Sequence, residues 1–311
     1  MNIARVTSWG SPPEYRSGPS LPPPSPSELQ LKVVAVGVPR LVQGRATGTH
    51  SSAMGASLPF DPSVDGVGLD ETTGHLYYIG PTSAPLFAER ANVDRSRLVR
   101  LKPGADPVAV AALVNPVGSS WMALRRRALG GCEGKTVLVL GATGASGRAA
   151  VHVACLLGAA RIVGVSRNAD KLAAVEGLDE RVQLRDPLLL PKSVGPVHIV
   201  LDFVGGRAAV GVMQSAEVPP GEDLQYIYVG DLAGQNDIVL PARLLNMKPV
   251  RIAGSGIGSW SKTDVEKELA ELVAVATKLK RPHNVWTASL ADVRSVWDTE
   301  DAKTKRLVLV P

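Results

Sequence analysis

The chain has 311 residues, 45% of them hydrophobic and 20% charged, which gives room for about two domains of ~100–200 residues with a core in each and excludes wholesale disorder. Lys and Arg exceed Asp and Glu by 34 − 29 = 5, yet aromatics are only 4% and the basic residues are scattered apart from Arg125, Arg126 and Arg127, so no nucleic-acid interface is expected. Two cysteines, Cys132 and Cys155, cannot build a disulfide framework, and neither sits in a Cys/His cluster with zinc-binding spacing.

The longest apolar stretch, 149–165, is interrupted by His152 and Arg161, and the opening ten residues lack a basic segment followed by an apolar one. Neither a membrane span nor a secretory signal is expected, and a cytoplasmic address is the default. Residues 11–28 are dense in Pro and Ser and read as an extended surface segment. Short β-like runs follow at 31–38, 64–69, 75–80 and 97–101, separated by turn residues. Asp106 before Pro107 is a helix start, an N-cap and then a first-turn proline.

From residue 136 the rhythm becomes strand, glycine turn, helix, strand. The apolar run 136–140 leads into GATGASG at 141–147 and then into a helix ending at Gly158. Strands at 161–165, 182–184, 197–202 and 225–230 alternate with helices from Asp170 and near 207–216, the pattern of βαβ units in a doubly wound sheet. A further strand is expected at 250–254. Thr263 with Glu266 reads as a capping box opening an amphipathic helix, and the chain closes on a strand at 306–310. Cys155 is expected in the core, Trp121 and Trp297 as packing anchors, and Arg125 to Arg127 as a solvated helix end.

Gly141, Gly144 and Gly147 fall in the turn between an apolar strand and an amphipathic helix. Side chains there would hold a diphosphate away from the helix N-terminus, where free N–H groups and the helix dipole favour negative charge. The candidate contacts are Gly141, Thr143, Gly144, Ala145, Ser146 and Gly147. At the end of the second strand, an Asp or Glu would select the ribose 2′-hydroxyl of NAD. Here the residues are Ser166 and Arg167, with Lys171 one helical turn on, an anion-binding set suited to a 2′-phosphate. NADP(H) is therefore the expected cofactor.

Other catalytic equipment leaves little trace. The first 114 residues have no Cys and only His50 and His75, none of the tyrosines has Lys four residues later, and no G-x-S-x-G elbow occurs. A quinone, or the β-carbon of an enone, can accept hydride directly if the pocket orients it and stabilises the oxyanion. His50 is a candidate catalytic residue for orienting a carbonyl or donating a proton. Tyr77 and Tyr78 alternate on a strand, so one is expected to pack inward.

Taken together, NPVGSSWMALRRR (115–127), GKTVLVLGATGASGRAAVHVACLLGA (134–159), VLDFVGG (200–206), YIYVGDL (226–232) and RIAGSGIGS (251–259) resemble the zinc-independent, quinone oxidoreductase-like branch of the medium-chain dehydrogenase/reductase superfamily. The resemblance implies an α/β protein: a GroES-like, β-rich catalytic domain from residues 1–114 and 257–311, around a central doubly wound (Rossmann) dinucleotide-binding domain at 115–256. It implies that Asn115 and Ser119 lie near the nicotinamide, Asn115 being also a candidate catalytic residue. Phe203, Val204, Val229 and Gly230 would line the cofactor, and Gly254, Ser255 and Gly256 would approach it from the other side. Positions that carry metal ligands in zinc-dependent relatives read Val38 or Pro39 and Val64 with Asp65, which implies a metal-free site. Relatives often dimerise through the strand at 250–254, so a homodimer is expected. The expected activity is NADPH-dependent hydride transfer to a small-molecule quinone or enone. The alternatives are a non-catalytic NADPH-binding protein and a dedicated enoyl reductase of a secondary-metabolite pathway.

Overall fold

The computed structural model describes residues 1–232, 234, 237–282 and 284–311. The chain divides into two units, Met1–Asn115 with Lys262–Pro311, and Pro116–Ser261.

In the first unit, β1 (Asn2–Arg5) pairs antiparallel with β2 (Glu14–Ser17). The long strand β3 (Glu28–Val38) buries Leu31, Val33 and Ala35 at alternate positions while Lys32 faces water, and its last four residues are all buried. After α1 (Arg40–Ala46) come β4 (Gly66–Asp70), β5 (His75–Ile79), β6 (Arg90–Asp94) and β7 (Leu98–Arg100). The helix α2 (Pro107–Arg126) starts where the sequence places it, with Asp106 Oδ1 accepting from the Val108 amide at 2.9 Å.

The second unit holds β8 (Thr136–Leu140), α3 (Ala145–Leu156), β9 (Arg161–Ser166), α4 (Ala169–Ala173), β10 (Glu180–Gln183), β11 (Ile199–Asp202), α5 (Gly206–Ser215), β12 (Leu224–Tyr228), α6 (Ala242–Met247) and β13 (Val250–Gly254). Its six strands form one sheet in the order β10-β9-β8-β11-β12-β13, every pair parallel. Leu138, Val163, Val200 and Tyr226 lie in its core with Val212 and Met213 of α5, as expected of strands covered by helices. The order reverses between β8 and β11. In open α/β sheets that switch opens a crevice beyond the carboxyl ends of the two strands.

The chain then returns to the first unit with α7 (Lys262–Ala276), β14 (Val285–Ser289), α8 (Val293–Val296), α9 (Glu300–Thr304) and β15 (Arg306–Val310). The last strand pairs antiparallel with β3, Leu307 opposite Val38, in a seven-stranded sheet ordered β14-β15-β3-β4-β5-β7, with β6 also on β3. Both ends of the chain thus build one sheet. The architecture is the two-domain α/β fold expected from the sequence.

Several local expectations are corrected. Cys155 is exposed, because α3 buries Ala150, Val151 and Ala154 and turns the next position outward; Cys132 is the buried cysteine. Thr263 is not an N-cap, since α7 already begins at Lys262; Glu266 instead faces Arg97 at 3.8 Å and Lys262 at 3.9 Å. The most apolar long segment is α2 rather than 149–165. It is long and apolar enough to cross a membrane, but 72% of its most apolar window is buried inside the protein. Trp121 and Trp297 are buried as packing residues, the latter edge-on to Phe87 at 6.2 Å.

Candidate functional site

Gly141 leaves β8 with φ +94°, a conformation that favours glycine, and its amide donates to the Val165 carbonyl of β9 at 2.9 Å. Gly147 is required by packing: a Cβ there would lie 2.2 Å from the Gly141 carbonyl oxygen. Gly144 is different. It precedes α3 with an ordinary φ of −73°, and a Cβ on it would meet nothing closer than 3.6 Å. No side chain caps α3, so the first-turn amides of Ala145, Ser146 and Gly147 have no intrahelical acceptor.

Three more glycines at the same carboxyl rim of the sheet share this property. Gly230 follows β12, Gly254 ends β13 and Gly256 follows it. None has positive φ, the nearest atom to a Cβ at Gly230 would be at 3.6 Å, and at Gly254 and Gly256 nothing lies within 4 Å. Neither backbone strain nor packing requires glycine at these four positions, which leaves the backbone at this rim open to close approach.

Beside the turn, the Thr143 and Ser166 hydroxyls lie 3.1 Å apart, joining the glycine turn to the end of β9. Asn168 caps α4 by accepting the Lys171 amide at 2.8 Å. Arg167 and Lys171 are exposed and have no ion-pair partner among the described residues. The Gln183 side-chain amide of β10 donates to the Arg167 carbonyl at 3.1 Å. Arg148, in the first turn of α3, donates to the carbonyls of Thr143, Ala174 and Lys171 at 3.3, 2.9 and 3.3 Å, clamping α4 to the glycine turn.

Across the switch point, Asp202 closes β11 completely buried. Its Oδ1 accepts the amides of Val204 and Gly205 at 2.7 and 2.9 Å, and its Oδ2 accepts the Tyr226 hydroxyl at 2.8 Å. Burial pushes this carboxyl above the usual range, and the two amides and the phenol oppose that rise. Its backbone carbonyl also accepts from Val229 and Gly230, so one residue ties down Val204, Gly205, Val229 and Gly230, while the Phe203 amide donates to the Leu140 carbonyl at 3.1 Å.

Ser255 is buried and accepts the Trp260 indole N–H at 3.0 Å, while the Gly256 amide donates to Ser259 Oγ at 2.9 Å. Arg127 donates from Nη2 to the Ser259 carbonyl, so the end of α2 is not simply solvated but ties down this loop. Ser119 donates to the Pro116 carbonyl at 2.7 Å, and Asn115 lies one turn before it on α2. Asn115 belongs to the first unit and the remaining cofactor candidates to the second.

His50, also in the first unit, is half-buried. Its Nδ1 accepts the Ser52 amide at 3.1 Å and lies 2.9 Å from Ser52 Oγ, which in turn accepts from Arg45 at 2.9 Å. Burial and the Arg45 charge hold the imidazole below its ordinary pKa. Neutral His50 with Nδ1 accepting carries its proton on Nε2.

The sequence reading missed Arg148, Gln183, Asp202 and Tyr226, and took Arg127 for part of a solvated helix end. Of the four missed residues only Asp202 had a visible signal, an acid closing an apolar strand.

No family model matches the chain. A probable NADPH-dependent quinone reductase of Emericella nidulans is 48% identical over 355 aligned positions that cover all of both chains. Among solved structures, a mycobacterial protein complexed with NADPH superposes with a TM-score of 0.81 at 20% identity, over the whole of both chains. A quinone oxidoreductase of Thermus thermophilus, solved alone and with NADPH, gives a TM-score of 0.72 at 24% identity, again over both whole chains.

Proposed function

Because the chain belongs to the quinone oxidoreductase-like branch of the medium-chain dehydrogenase/reductase superfamily, we propose that it is an NADPH-dependent oxidoreductase that reduces a quinone or the activated double bond of an enone or enoyl compound. The observation that carries this reading is the set of four glycines, 144, 230, 254 and 256, that the fold itself does not require and that all lie at the carboxyl rim of the parallel sheet.

The residues fit NADPH. The first-turn amides of α3 suit a diphosphate, and Ser166, Arg167 and Lys171 offer a hydroxyl and two cations to a 2′-phosphate. Phe203, held by the Leu140 carbonyl, and Val204, held by Asp202, offer an apolar wall, and Asn115, Ser119 and the loop at 254–256 are the proposed surroundings of the nicotinamide. When bound, the cofactor supplies the hydride. Among the chain's own residues, His50 presents an Nε2–H at neutral pH, which suits it to hold a substrate carbonyl oxygen rather than to act as an imidazolium acid.

The reaction is taken as metal-free. Val38, Pro39 and Val64 offer no metal donor, and Asp65 already accepts the Tyr78 hydroxyl at 2.7 Å. The unit Met1–Asn115 with Lys262–Pro311 is assigned the catalytic role, and Pro116–Ser261 cofactor binding. A cytoplasmic homodimer joined at β13 completes the proposal: β13 is the outer strand of its sheet and exposes Ile252.

The test is to follow oxidation of NADPH with a panel of quinones and enones, alongside calorimetric titration of NADPH and NADH. Turnover with at least one acceptor, and tighter binding of NADPH than NADH, are expected. Tight binding with no turnover would replace the enzyme by a cofactor-binding protein, and no heat with either nucleotide would overturn the site.

A further inference from the structure

Pro116 stands ten residues into α2 and has no N–H, so the carbonyl four residues earlier, on Ala112, has no helical donor. That carbonyl is not left empty. Arg306, the first residue of β15 and 194 residues away, donates Nε to it at 3.1 Å. The neighbouring carbonyl, Ala111, lies against β3: a Cβ on Gly37 would sit 2.3 Å from its oxygen, so only glycine lets the strand approach this closely. Gly37 pairs with Val308 of β15. The turn before Asn115 is thus braced at two consecutive carbonyls from one strand pair.

Arg306 is partly buried, its Nη2 is sealed from solvent without a hydrogen-bond partner, and the charge of Asp65 acts on the guanidinium without a hydrogen bond between them. Asp65 is buried at 1% exposure; its Oδ2 accepts the Tyr78 hydroxyl at 2.7 Å, and its Oδ1 is buried without a partner. Two opposite charges, each with one unpaired buried atom, are a costly arrangement for a fold that could fill the space with apolar side chains. A helix carbonyl deprived of its donor gives that arrangement a purpose.

We propose that Tyr78, Asp65 and Arg306 are positioning residues acting as one unit, which holds the proline-interrupted turn of α2 through the Ala112 carbonyl and so sets the orientation of Asn115. This rests on the reading that Asn115 meets the cofactor. Tyr78 fixes the Asp65 carboxylate, the negative charge of that carboxylate favours the guanidinium on this side of the helix, and the guanidinium supplies the hydrogen bond that Pro116 cannot.

The experiment combines amide hydrogen exchange with two double-mutant cycles on the full chain. Arg306→Gln should speed exchange in the α2 peptide spanning 111–119 by about tenfold or more, the scale of a lost hydrogen bond from a charged donor, and Tyr78→Phe should do so more weakly. Pro116→Ala returns the missing N–H, and in that background Arg306→Gln should change exchange of the peptide less than twofold. For turnover, Arg306→Gln should lower kcat for NADPH oxidation with a quinone, Arg306→Lys should recover most of it, and Arg306→Gln should add nothing once Asn115→Ala is present. If Arg306→Gln fails to fold, Tyr78→Phe carries the same cycles. Exchange that rises evenly over the first unit, or that Pro116→Ala does not restore, overturns the brace. Full additivity of the kcat losses overturns its link to Asn115. An Asn115→Ala protein with unchanged kinetics, together with the expected exchange results, supports the brace and overturns the reading of Asn115.

Discussion

Tyr226 donates its hydroxyl to Asp202 across neighbouring strands at 2.8 Å, both residues being buried, and the other carboxylate oxygen carries the turn that begins with Val204. The phenol is thus the support beneath one wall of the proposed cofactor site. Tyr226→Phe leaves Asp202 Oδ2 buried and unpaired, which should cost about 1–3 kcal/mol of stability. Urea unfolding at neutral pH measures this; a variant as stable as the wild type would show the hydroxyl to be idle.

The two glycines of the α3 turn should respond oppositely to an added methyl group. Gly147→Ala places its Cβ 2.2 Å from the Gly141 carbonyl oxygen and 2.7 Å from the Ala142 Cα, so the helix must shift, at about 1–3 kcal/mol or more of stability. Gly144→Ala meets only ordinary contacts from 3.6 Å outward, and its stability should change by less than about 0.5 kcal/mol. Its NADPH affinity should instead fall by about 1–3 kcal/mol, because the methyl group occupies the space left for the diphosphate. Thermal unfolding paired with calorimetric titration separates the two, and full NADPH binding by Gly144→Ala would remove the diphosphate from this turn.

Cofactor choice should depend on Arg167. With no ion-pair partner among the described residues and its carbonyl held by Gln183, its guanidinium is available to a 2′-phosphate. Arg167→Ala should weaken NADPH by about 1–3 kcal/mol and leave NADH nearly untouched. Fluorescence titration with both nucleotides decides this, and equal losses would place the 2′-phosphate elsewhere.

The parts of this protein that were legible in its sequence are those written locally. A glycine turn between an apolar strand and an amphipathic helix specifies its own geometry, and Asp106 before Pro107 specifies a helix start, because the residues that interact are neighbours in the chain. Arg148, Arg127 and Arg306 were opaque for the opposite reason: each is a long side chain reaching a backbone carbonyl far along the chain, 194 residues away for Arg306, and an unpaired carbonyl leaves no mark in composition. Cys155 was misplaced by helical phase, since one residue is about 100° of rotation and Ala154 already occupies the buried edge. Pro116 was visible throughout, but the donor that compensates for it could be found only once the last strand had been placed beside β3.

The charge pair behind α2 should also leave a signature in the pH dependence of stability. Burial outweighs mutual attraction at both groups: Asp65 is pushed up to about 6, against the opposing hydrogen bond from Tyr78 and the charge of Arg306, and Arg306 is pushed down to about 10. A carboxyl whose pKa is higher in the folded than in the unfolded chain binds more protons when folded, so its contribution is complete below about pH 4 and is lost as pH rises through about 6. The fall amounts to about 3 kcal/mol for a shift of this size in a group that solvent does not reach. Asp65→Asn keeps an acceptor for Tyr78 and removes the titration, so its stability minus that of the wild type should rise from pH 4 to 7 and then level off, whatever constant offset the substitution adds. Urea unfolding midpoints of both proteins across that range measure the difference. Parallel curves would mean that Asp65 titrates in the folded protein as it does in the unfolded chain.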